Sequence, residues 1–152
     1  MDKLYSLQNG TDIRGVAYKD DKSDLEITLT REDVKNLVRG FATWIIDKDK
    51  KDHIKISIGT DSRLTGPDFR QACVEALTEI GVDVVDCGMA TTPAMFMSTI
   101  IDGYKCDGAI MFTASHMPYV YNGLKMFTSQ GCLEKSDLKD VIDICVAGNF
   151  VD

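Results

Sequence analysis

The most specific chemical signal in this sequence is a serine in a polar loop. Ser115 lies in the segment TASHMP, residues 113–118, directly after a predicted buried strand over 108–112. A serine held on a rigid element can act as a nucleophile, although a loop serine more commonly caps a turn or contacts water. The adjacent His116 is also compatible with a plain loop residue that hydrogen-bonds the backbone. The segment is therefore a candidate reactive loop whose chemistry depends on residues elsewhere.

Three basic side chains could converge on this loop from other strand ends: Arg14, Arg63 and Lys125. The two arginines share the pattern Gly-Thr-Asp-x-Arg, which occurs at residues 10–14 and 59–63. In this pattern glycine lets the chain turn, aspartate can fix the turn with its side chain, and arginine presents a planar fork that suits phosphate. Two ordinary surface turns would produce the same short pattern. If the three cations meet at the serine loop, they predict a phosphate site.

Several other kinds of site are not indicated. No GxGxxG follows a predicted strand and no GxxxxGK[ST] occurs, so the phosphate-cradling loops of dinucleotide-binding and P-loop proteins are missing. The flanks of Ser115 do not fit the GxSxG elbow of serine hydrolases. A zinc site would need both histidines, His53 and His116, together with distant thiols. The charged run 47–52 indicates a solvated helix end rather than a metal site.

Composition restricts the partners and the compartment. The 152 residues carry 24 acidic and 17 basic side chains, a net charge of −7, which argues against a nucleic-acid surface. The longest uncharged stretch, 87–101, is interrupted by glycine and proline, so no membrane span is predicted. Residues 1–8 lack the apolar segment of a secretory signal, which favours a cytoplasmic protein. The five cysteines form no CxxC pair and are predicted to be buried thiols of a reducing compartment: Cys73, Cys87, Cys106, Cys132 and Cys145.

The elements that must position the candidate residues alternate along the chain. Helices are predicted to begin at Thr30, at Gly66-Pro67, at Thr92-Pro93 and at Ser136. Strands are predicted over 54–58, 82–87 and 108–112, with a returning strand over 123–127. This order predicts a three-layer α/β/α fold around a mixed, mainly parallel, four-stranded sheet. Its active-site loops would gather at the carboxyl ends of the strands. No linker interrupts the pattern, so residues 1–152 are predicted to form one domain.

Four motifs together resemble the α-D-phosphohexomutases, the phosphoglucomutase and phosphomannomutase family. They are DIRG at 12–15, GTDSR at 59–63, the serine loop TASHMP at 113–118 and NGLK at 122–125. They occur in the order of the family and cover nearly the whole chain. One departure is Met117, because the serine loop of the family usually has asparagine there and methionine offers no comparable amide. The resemblance is to the first domain of a four-domain enzyme.

The resemblance implies a role for each matching residue. In that family the loop serine carries a phosphate, gives it to a sugar-phosphate hydroxyl and regains one from the resulting bisphosphate. Ser115 matches this serine, and Lys125 matches an electrostatic partner or proton carrier. Arg14 would hold the phosphoserine region and His116 would shape the loop. Arg63 would bind the phosphate and brace the site. The remaining matches would support the loops: Asp61, Asn122, Gly123 and Pro118.

The resemblance also implies what lies outside this chain. A Mg²⁺ ion would contact only the phosphate on Ser115, since its aspartate ligands belong to the second domain of the family. Domain II, which carries the metal loop, and domains III and IV, which read the sugar and bind its phosphate, are absent, so the isolated chain is expected to be inactive. The full-length protein would interconvert hexose 1-phosphate and hexose 6-phosphate through a hexose bisphosphate, without the sequence indicating glucose, mannose or an amino sugar. The alternatives are a catalytically silent sugar-phosphate-binding or regulatory domain, and a phosphatase-like phosphotransfer enzyme.

Overall fold

A computed structural model of the chain describes residues 3–151. The helices are α1 (Lys3–Ser6), α2 (Arg31–Asp49), α3 (Gly66–Glu79), α4 (Thr92–Met97) and α5 (Lys135–Ala147). The strands are β1 (Gln8–Asn9), β2 (Asp12–Val16), β3 (Lys55–Thr60), β4 (Asp83–Met89), β5 (Gly108–Phe112), β6 (Tyr121–Thr128) and β7 (Gly131–Cys132). Within these residues no helix combines the length and the apolar character that crossing a membrane requires.

The strands form one mixed sheet in the order β1-β2-β6-β5-β3-β4, with β7 paired to β6. Strands β4, β3 and β5 are parallel, whereas β6 runs antiparallel to β5 and β2 runs antiparallel to β6. The three-layer class with a mixed sheet is confirmed. The predicted number of four strands is wrong, because the sheet formed by residues 3–151 has seven strands. Strand β2 escaped prediction because Asp12, Arg14 and Gly15 give it the composition of a turn, and β1 and β7 have only two residues each.

The helix starts follow from capping. Thr30 and Asp33 form the predicted capping box, in which each side chain accepts a hydrogen bond from the other residue's backbone amide, at 3.1 and 2.9 Å. Proline stands in the first turn of both α3 and α4, as the sequence indicated. The predicted cap of α5 is wrong by two positions. Glu134 caps that helix, because its side chain and that of Asp137 form a second capping box.

Alternating side chains of β5 separate two cores. Ile110 and Phe112 face the larger core, which α2, α3 and α5 cover. Ala109 and Met111 face the opposite side, where α4 contributes Met95 to a core of four buried residues. The larger core fixes the strands from one side and leaves the loops at their carboxyl ends accessible.

The cysteines are free thiols, as predicted, but they are not all buried. Cys73, Cys106 and Cys145 are buried, and burial raises the pKa of the Cys145 thiol to about 12. Cys132 is half-buried. Cys87 is exposed because it lies on β4, the strand at the edge of the sheet, most of whose residues are solvent-accessible.

Helix α2 approaches α5 closely at Gly40. A Cβ atom at this position would overlap the Cys145 sulfur and come within 3.1 Å of the Val141 carbonyl oxygen. Helix propensity alone would make Gly40→Ala stabilising by about 1 kcal/mol. We expect the clash to dominate, so that the substitution lowers the free energy of unfolding in urea by about 2 kcal/mol.

The matched background for this test is Cys145→Ala, which removes the overlapping sulfur. In that background the loss caused by Gly40→Ala should shrink to below about 1 kcal/mol, because the two sites are in contact and couple. Equal losses in both backgrounds, or a gain in stability from Gly40→Ala alone, would contradict the close helix contact.

Candidate active site

The candidate residues meet at one edge of the sheet. Strand β3 ends at Thr60 and leads into the Asp61–Arg63 turn, while β5 ends at Phe112 and leads into the serine loop. The amide of Asp61 donates to the carbonyl of Phe112 at 3.2 Å, which joins the two strand ends. The two Gly-Thr-Asp-x-Arg segments differ in structure, since the first is a turn that enters β2 at Asp12, whereas the second is the end of β3 and leaves the strand after Thr60.

Ser115 is exposed at the tip of a tight turn. Its φ of +55° lies in the left-handed region, which side-chain-bearing residues rarely adopt. Two hydrogen bonds close the turn around it: the Ser115 amide donates to Thr113 Oγ1, and the Met117 amide donates to the Ala114 carbonyl, both at 3.0 Å. The buried Ala114 side chain anchors the turn against the fold. The serine hydroxyl is therefore presented to solvent by a constrained backbone.

Arg63 holds this loop from inside. Its guanidinium donates to the carbonyl oxygens of Ser115, Pro118 and Tyr121 at 2.7, 2.9 and 3.1 Å. Its Nε donates to the Asp61 carboxylate at 3.2 Å, and the side chain is only 10 % exposed. The sequence predicted both a phosphate-binding and a bracing position for this arginine. In the structure its donors are directed to the loop backbone.

The Asp61 carboxylate extends this support through Thr113, whose side chain the sequence analysis did not single out. One carboxylate oxygen accepts from Arg63 Nε and from the Thr113 hydroxyl, the latter at 2.7 Å. Thr113 Oγ1 in turn accepts from the Ser115 amide. A continuous chain of hydrogen bonds thus runs from the guanidinium through Asp61 and Thr113 to the backbone of the serine.

Arg14 and Lys125 share one carboxylate beside the serine hydroxyl. Arg14 Nη2 lies 3.3 Å from both Ser115 Oγ and the Asp12 carboxylate, and Lys125 Nζ lies 2.6 Å from the other Asp12 oxygen. Asp12 is buried, and both cations are largely buried. Arg14 Nε is buried without a hydrogen-bond partner within residues 3–151. Two cations against one carboxylate leave one net positive charge next to Ser115 Oγ, which favours an anion there.

The pairing of β2 with β6 brings these charges together. Asp12 stands opposite Lys125 and Arg14 stands opposite Gly123 in the register. A Cβ at Gly123 would overlap the Ile13 carbonyl oxygen, so only glycine permits this approach. The Gly123 carbonyl also accepts from the Thr113 amide at 3.0 Å, which connects β6 to the start of the serine loop.

Asn122 ties the same strand to helix α3. Its side chain is fully buried and donates to Thr65 Oγ1 at 2.8 Å, while its oxygen accepts from the Gly123 amide at 2.8 Å. Thr65 is the N-cap residue that directly precedes α3. The side-chain amide of Asn122 therefore fixes β6 relative to the helix that follows the Asp61–Arg63 turn.

His116 in the serine loop and Tyr119 directly after it both have exposed side chains. His116 is exposed, and its ring forms no side-chain hydrogen bond within the described part of the chain. Tyr119, which the sequence analysis missed, donates its hydroxyl to the Asp20 carboxylate. This bond lowers the pKa of Asp20 and raises that of Tyr119. The Tyr119 ring also packs against Tyr18, with centroids 6.3 Å apart, so the loop after β2 supports the serine loop from outside.

The carboxylates near Ser115 are already engaged. Asp12 is bound by Arg14 and Lys125, and Asp61 is bound by Arg63 and Thr113. Between residues 3 and 151 no group of three or more potential ligand side chains forms a metal site. Since Mg²⁺ prefers several oxygen ligands, the side chains of these residues do not fit a complete magnesium site.

Comparisons with known proteins identify relatives of this chain. A family model described as phosphoglucomutase/phosphomannomutase, alpha/beta/alpha domain I, matches residues 6–149. A phosphoglucosamine mutase of Caldicellulosiruptor bescii is 36 % identical over 144 residues, and one of Alkaliphilus oremlandii is 30 % identical over 150 residues. These alignments cover 94 and 98 % of this chain.

The solved structures give the same result. A phosphoglucomutase/phosphomannomutase family protein of Burkholderia thailandensis superposes with a TM-score of 0.77 at 25 % identity, covering 99 % of this chain and 31 % of that protein. This chain spans 28 to 30 % of the length of the two phosphoglucosamine mutases. The chain therefore belongs to the phosphoglucomutase/phosphomannomutase family and corresponds to its α/β/α domain I.

Proposed function

We propose that this chain is the phosphoserine domain of a phosphohexomutase, in which Ser115 carries the phosphoryl group that moves between the 1- and 6-hydroxyls of a hexose phosphate. The observation that carries the proposal is the 3.3 Å contact between Arg14 Nη2 and Ser115 Oγ, made on a loop that holds the serine at positive φ. The names of the two curated relatives favour an amino-sugar phosphate as the substrate. Domains II to IV would be supplied by polypeptide beyond residues 1–152.

The transfer follows from the bonds that form and break at Ser115. In the first step a sugar hydroxyl attacks the phosphorus of the seryl phosphate, the P–Oγ bond breaks, and the hydroxyl proton of the sugar replaces the phosphoryl group on Oγ. The sugar is then a bisphosphate. In the second step Oγ attacks the other phosphate of that sugar, and the proton returns to the sugar oxygen that leaves. No atom is gained or lost over the cycle.

The side chains of this chain contribute position and charge to these steps. Arg14 would contact an oxygen of the phosphate on Ser115, and Lys125 would stabilise the charge that moves between the oxygens. Asp12 keeps the two cations in place by bonding to both. Arg63 holds the backbone carbonyls, so that Oγ keeps one orientation while the sugar changes its own. His116 would shape the loop at its exposed side.

In this proposal Mg²⁺ is bound by the phosphate on Ser115. It would neutralise charge on the transferring group, and its carboxylate ligands would come from another domain. The second candidate function, a silent domain that only binds sugar phosphates, would keep the same cationic pocket. The two candidates differ in whether the Ser115 oxygen is needed for turnover.

The serine hydroxyl is the first target for mutation. In the full-length enzyme Ser115→Ala should lower kcat by several orders of magnitude, because the atom that accepts the phosphoryl group is missing. Ser129→Ala, which removes another exposed serine hydroxyl, is the control and should retain normal turnover. The assay is hexose 1-phosphate conversion without added bisphosphate. Near-normal turnover by a folded Ser115→Ala variant would support the silent domain instead.

Lys125 tests the contribution of charge. Lys125→Met keeps the aliphatic stem and reduces the net charge of the Arg14, Asp12 and Lys125 group from one to zero. The loss of one electrostatic partner should lower kcat by about 10² to 10³. The loss should be smaller than that of Ser115→Ala. Lys139→Met on the exposed face of α5 serves as the charge-matched control. A Lys125→Met enzyme as active as this control would exclude Lys125 from the transfer.

The isolated chain tests the need for further domains. Residues 1–152 alone should show no measurable interconversion of hexose 1- and 6-phosphates, because a near-attack geometry needs the sugar to be held as well as the serine. The measurement is a coupled assay at high protein concentration with Mg²⁺ present. Substantial turnover by the isolated chain would refute the claim that catalysis needs the other domains.

A further inference from the structure

The contact between Arg14 and Ser115 joins two parts of the fold that are not neighbours in the sheet. Arg14 lies on β2, whereas Ser115 lies in the connection between β5 and β6. In the sheet β6 stands between β2 and β5. The 3.3 Å distance between Arg14 Nη2 and Ser115 Oγ therefore depends on how the serine loop is held relative to β2.

The chain that continues β2 runs along the end of the serine loop. The backbone amides of Ala17 and Tyr18 both donate to the carbonyl of Val120, at 2.8 and 3.0 Å. The side chain of Val120 is buried. Residues 119 and 120 form the link between the serine loop and β6, which begins at Tyr121. Backbone hydrogen bonds thus attach the continuation of β2 to this link.

Tyr119 adds a side-chain connection between the same two segments. Its hydroxyl donates to the Asp20 carboxylate, and its ring packs against that of Tyr18 with centroids 6.3 Å apart. The other oxygen of Asp20 accepts from the Lys22 amide at 2.9 Å, which is the arrangement of an Asx turn. The acceptor of the Tyr119 hydroxyl is therefore itself held in place by its own backbone.

Polar contacts of this kind must locate the segment 17–28, because core packing does not. None of its twelve residues is buried. Its two ends meet at Val16, whose carbonyl accepts from the amides of Thr28 and Leu29 at 2.9 and 3.0 Å. Between these ends, the bond from Tyr119 to Asp20 connects the segment to the serine loop.

Arg63 holds the serine loop from the other side. It follows β3, which lies beyond β5 as seen from β2. Its bonds to the carbonyls of Ser115, Pro118 and Tyr121 fix the shape of the loop and of its end. They do not connect the loop to β2. The contacts of the link 119–120 with residues 17–20 make that connection.

We propose that Tyr119 is a positioning residue for phosphoryl transfer, because its bond to Asp20 holds the serine loop at the distance from β2 at which Arg14 contacts Ser115. The inference rests on the proposed function, in which this contact meets the transferred phosphate. Within residues 3–151 neither the Tyr119 nor the Asp20 side chain hydrogen-bonds to Ser115, so both act through the placement of Arg14. A misplacement of about 1 Å can lower a rate by about 10².

Tyr119→Phe in the full-length enzyme tests the hydroxyl, since it keeps the ring and removes the bond to Asp20. We expect kcat to fall about tenfold and KM to change less than twofold, because the sugar is held by other domains. Tyr104→Phe is the matched control, since Tyr104 is 49 % exposed and Tyr119 is 48 % exposed. This control should have normal kcat. Equal kcat values for the two variants, or a change confined to KM, would overturn the proposal.

Variants of Asp20 separate the hydrogen bond from the charge. Asp20→Ala should lower kcat as much as Tyr119→Phe, and the double variant should lose no more than either single variant, because both remove the same bond. Asp20→Asn keeps an acceptor oxygen and should remain within about threefold of the unsubstituted enzyme. Asp21→Ala, which removes an exposed acid from the same segment, is the control for charge and should have normal kcat. If Asp20→Asn is as impaired as Asp20→Ala, the proposal is wrong.

The last measurement asks whether Tyr119 acts through Arg14. It follows, in a single turnover, the transfer of phosphate from Ser115 to a hexose monophosphate, which remains measurable over hours in slow variants. In an Arg14→Ala background the loss caused by Tyr119→Phe should shrink from about tenfold to less than twofold. An undiminished loss would overturn the proposal.

The phosphate content of Ser115, measured by mass spectrometry before each reaction, distinguishes the two levels of the account. An unsubstituted enzyme without transferable phosphate on Ser115 would refute the proposed function, and this inference with it. An unsubstituted enzyme that transfers phosphate from Ser115 at the same rate as Tyr119→Phe would refute the positioning role alone.

Discussion

A single buried carboxylate, Asp12, makes the rest of the site possible. It holds Arg14 and Lys125 on its two oxygens, and these two cations would repel each other without it. The pairing of β2 with β6 sets this geometry, because the register places Asp12 opposite Lys125 and the absent side chain of Gly123 lets the strands approach. The outcome is one uncompensated positive charge beside the hydroxyl of Ser115. A serine that carries an anionic group needs such a positive charge for the stability of that group alone, independently of catalysis.

The serine loop is rigid enough to use that charge. A positive φ at a serine costs on the order of 1 to 3 kcal/mol, and it persists only where neighbouring contacts impose it. Here Arg63 donates to two carbonyls of the serine loop and to the first carbonyl of β6, and each charge-assisted bond contributes roughly 1.5 to 3 kcal/mol, so these bonds outweigh the strain. Arg63 acts on the backbone, and in the proposed function Arg14 is therefore the arginine that contacts the phosphate. Two arginines in similar short patterns thereby have different tasks, since one is in a strand and the other is in a turn.

Much of the fold was accessible from sequence, and the exceptions have physical reasons. Apolar alternation predicted β3 to β6, and capping signals predicted the starts of α2, α3 and α4. Strand β2 was missed because its polar residues face the site. Its composition serves the contacts of the site more than the packing of the core, so it lacks the usual pattern of a strand. Asp12, Thr113 and Tyr119 were missed as supporting residues, because each acts on a partner far away in the chain. For Asp12 the sequence did contain a signal. An acidic residue close to a basic residue in a strand needs charged or hydrogen-bonding partners when it is buried.

The central claim is that Ser115 holds a transferable phosphate, and peptide-mapped mass spectrometry of the full-length enzyme tests it most directly. The enzyme would be incubated with a hexose 1,6-bisphosphate, freed of ligand and analysed before and after addition of a hexose monophosphate. One phosphate is expected on the peptide that contains Ser115, and it should be lost to the monophosphate. A phosphate found on a different residue, or one that remains on Ser115 in the presence of the monophosphate, would contradict the account.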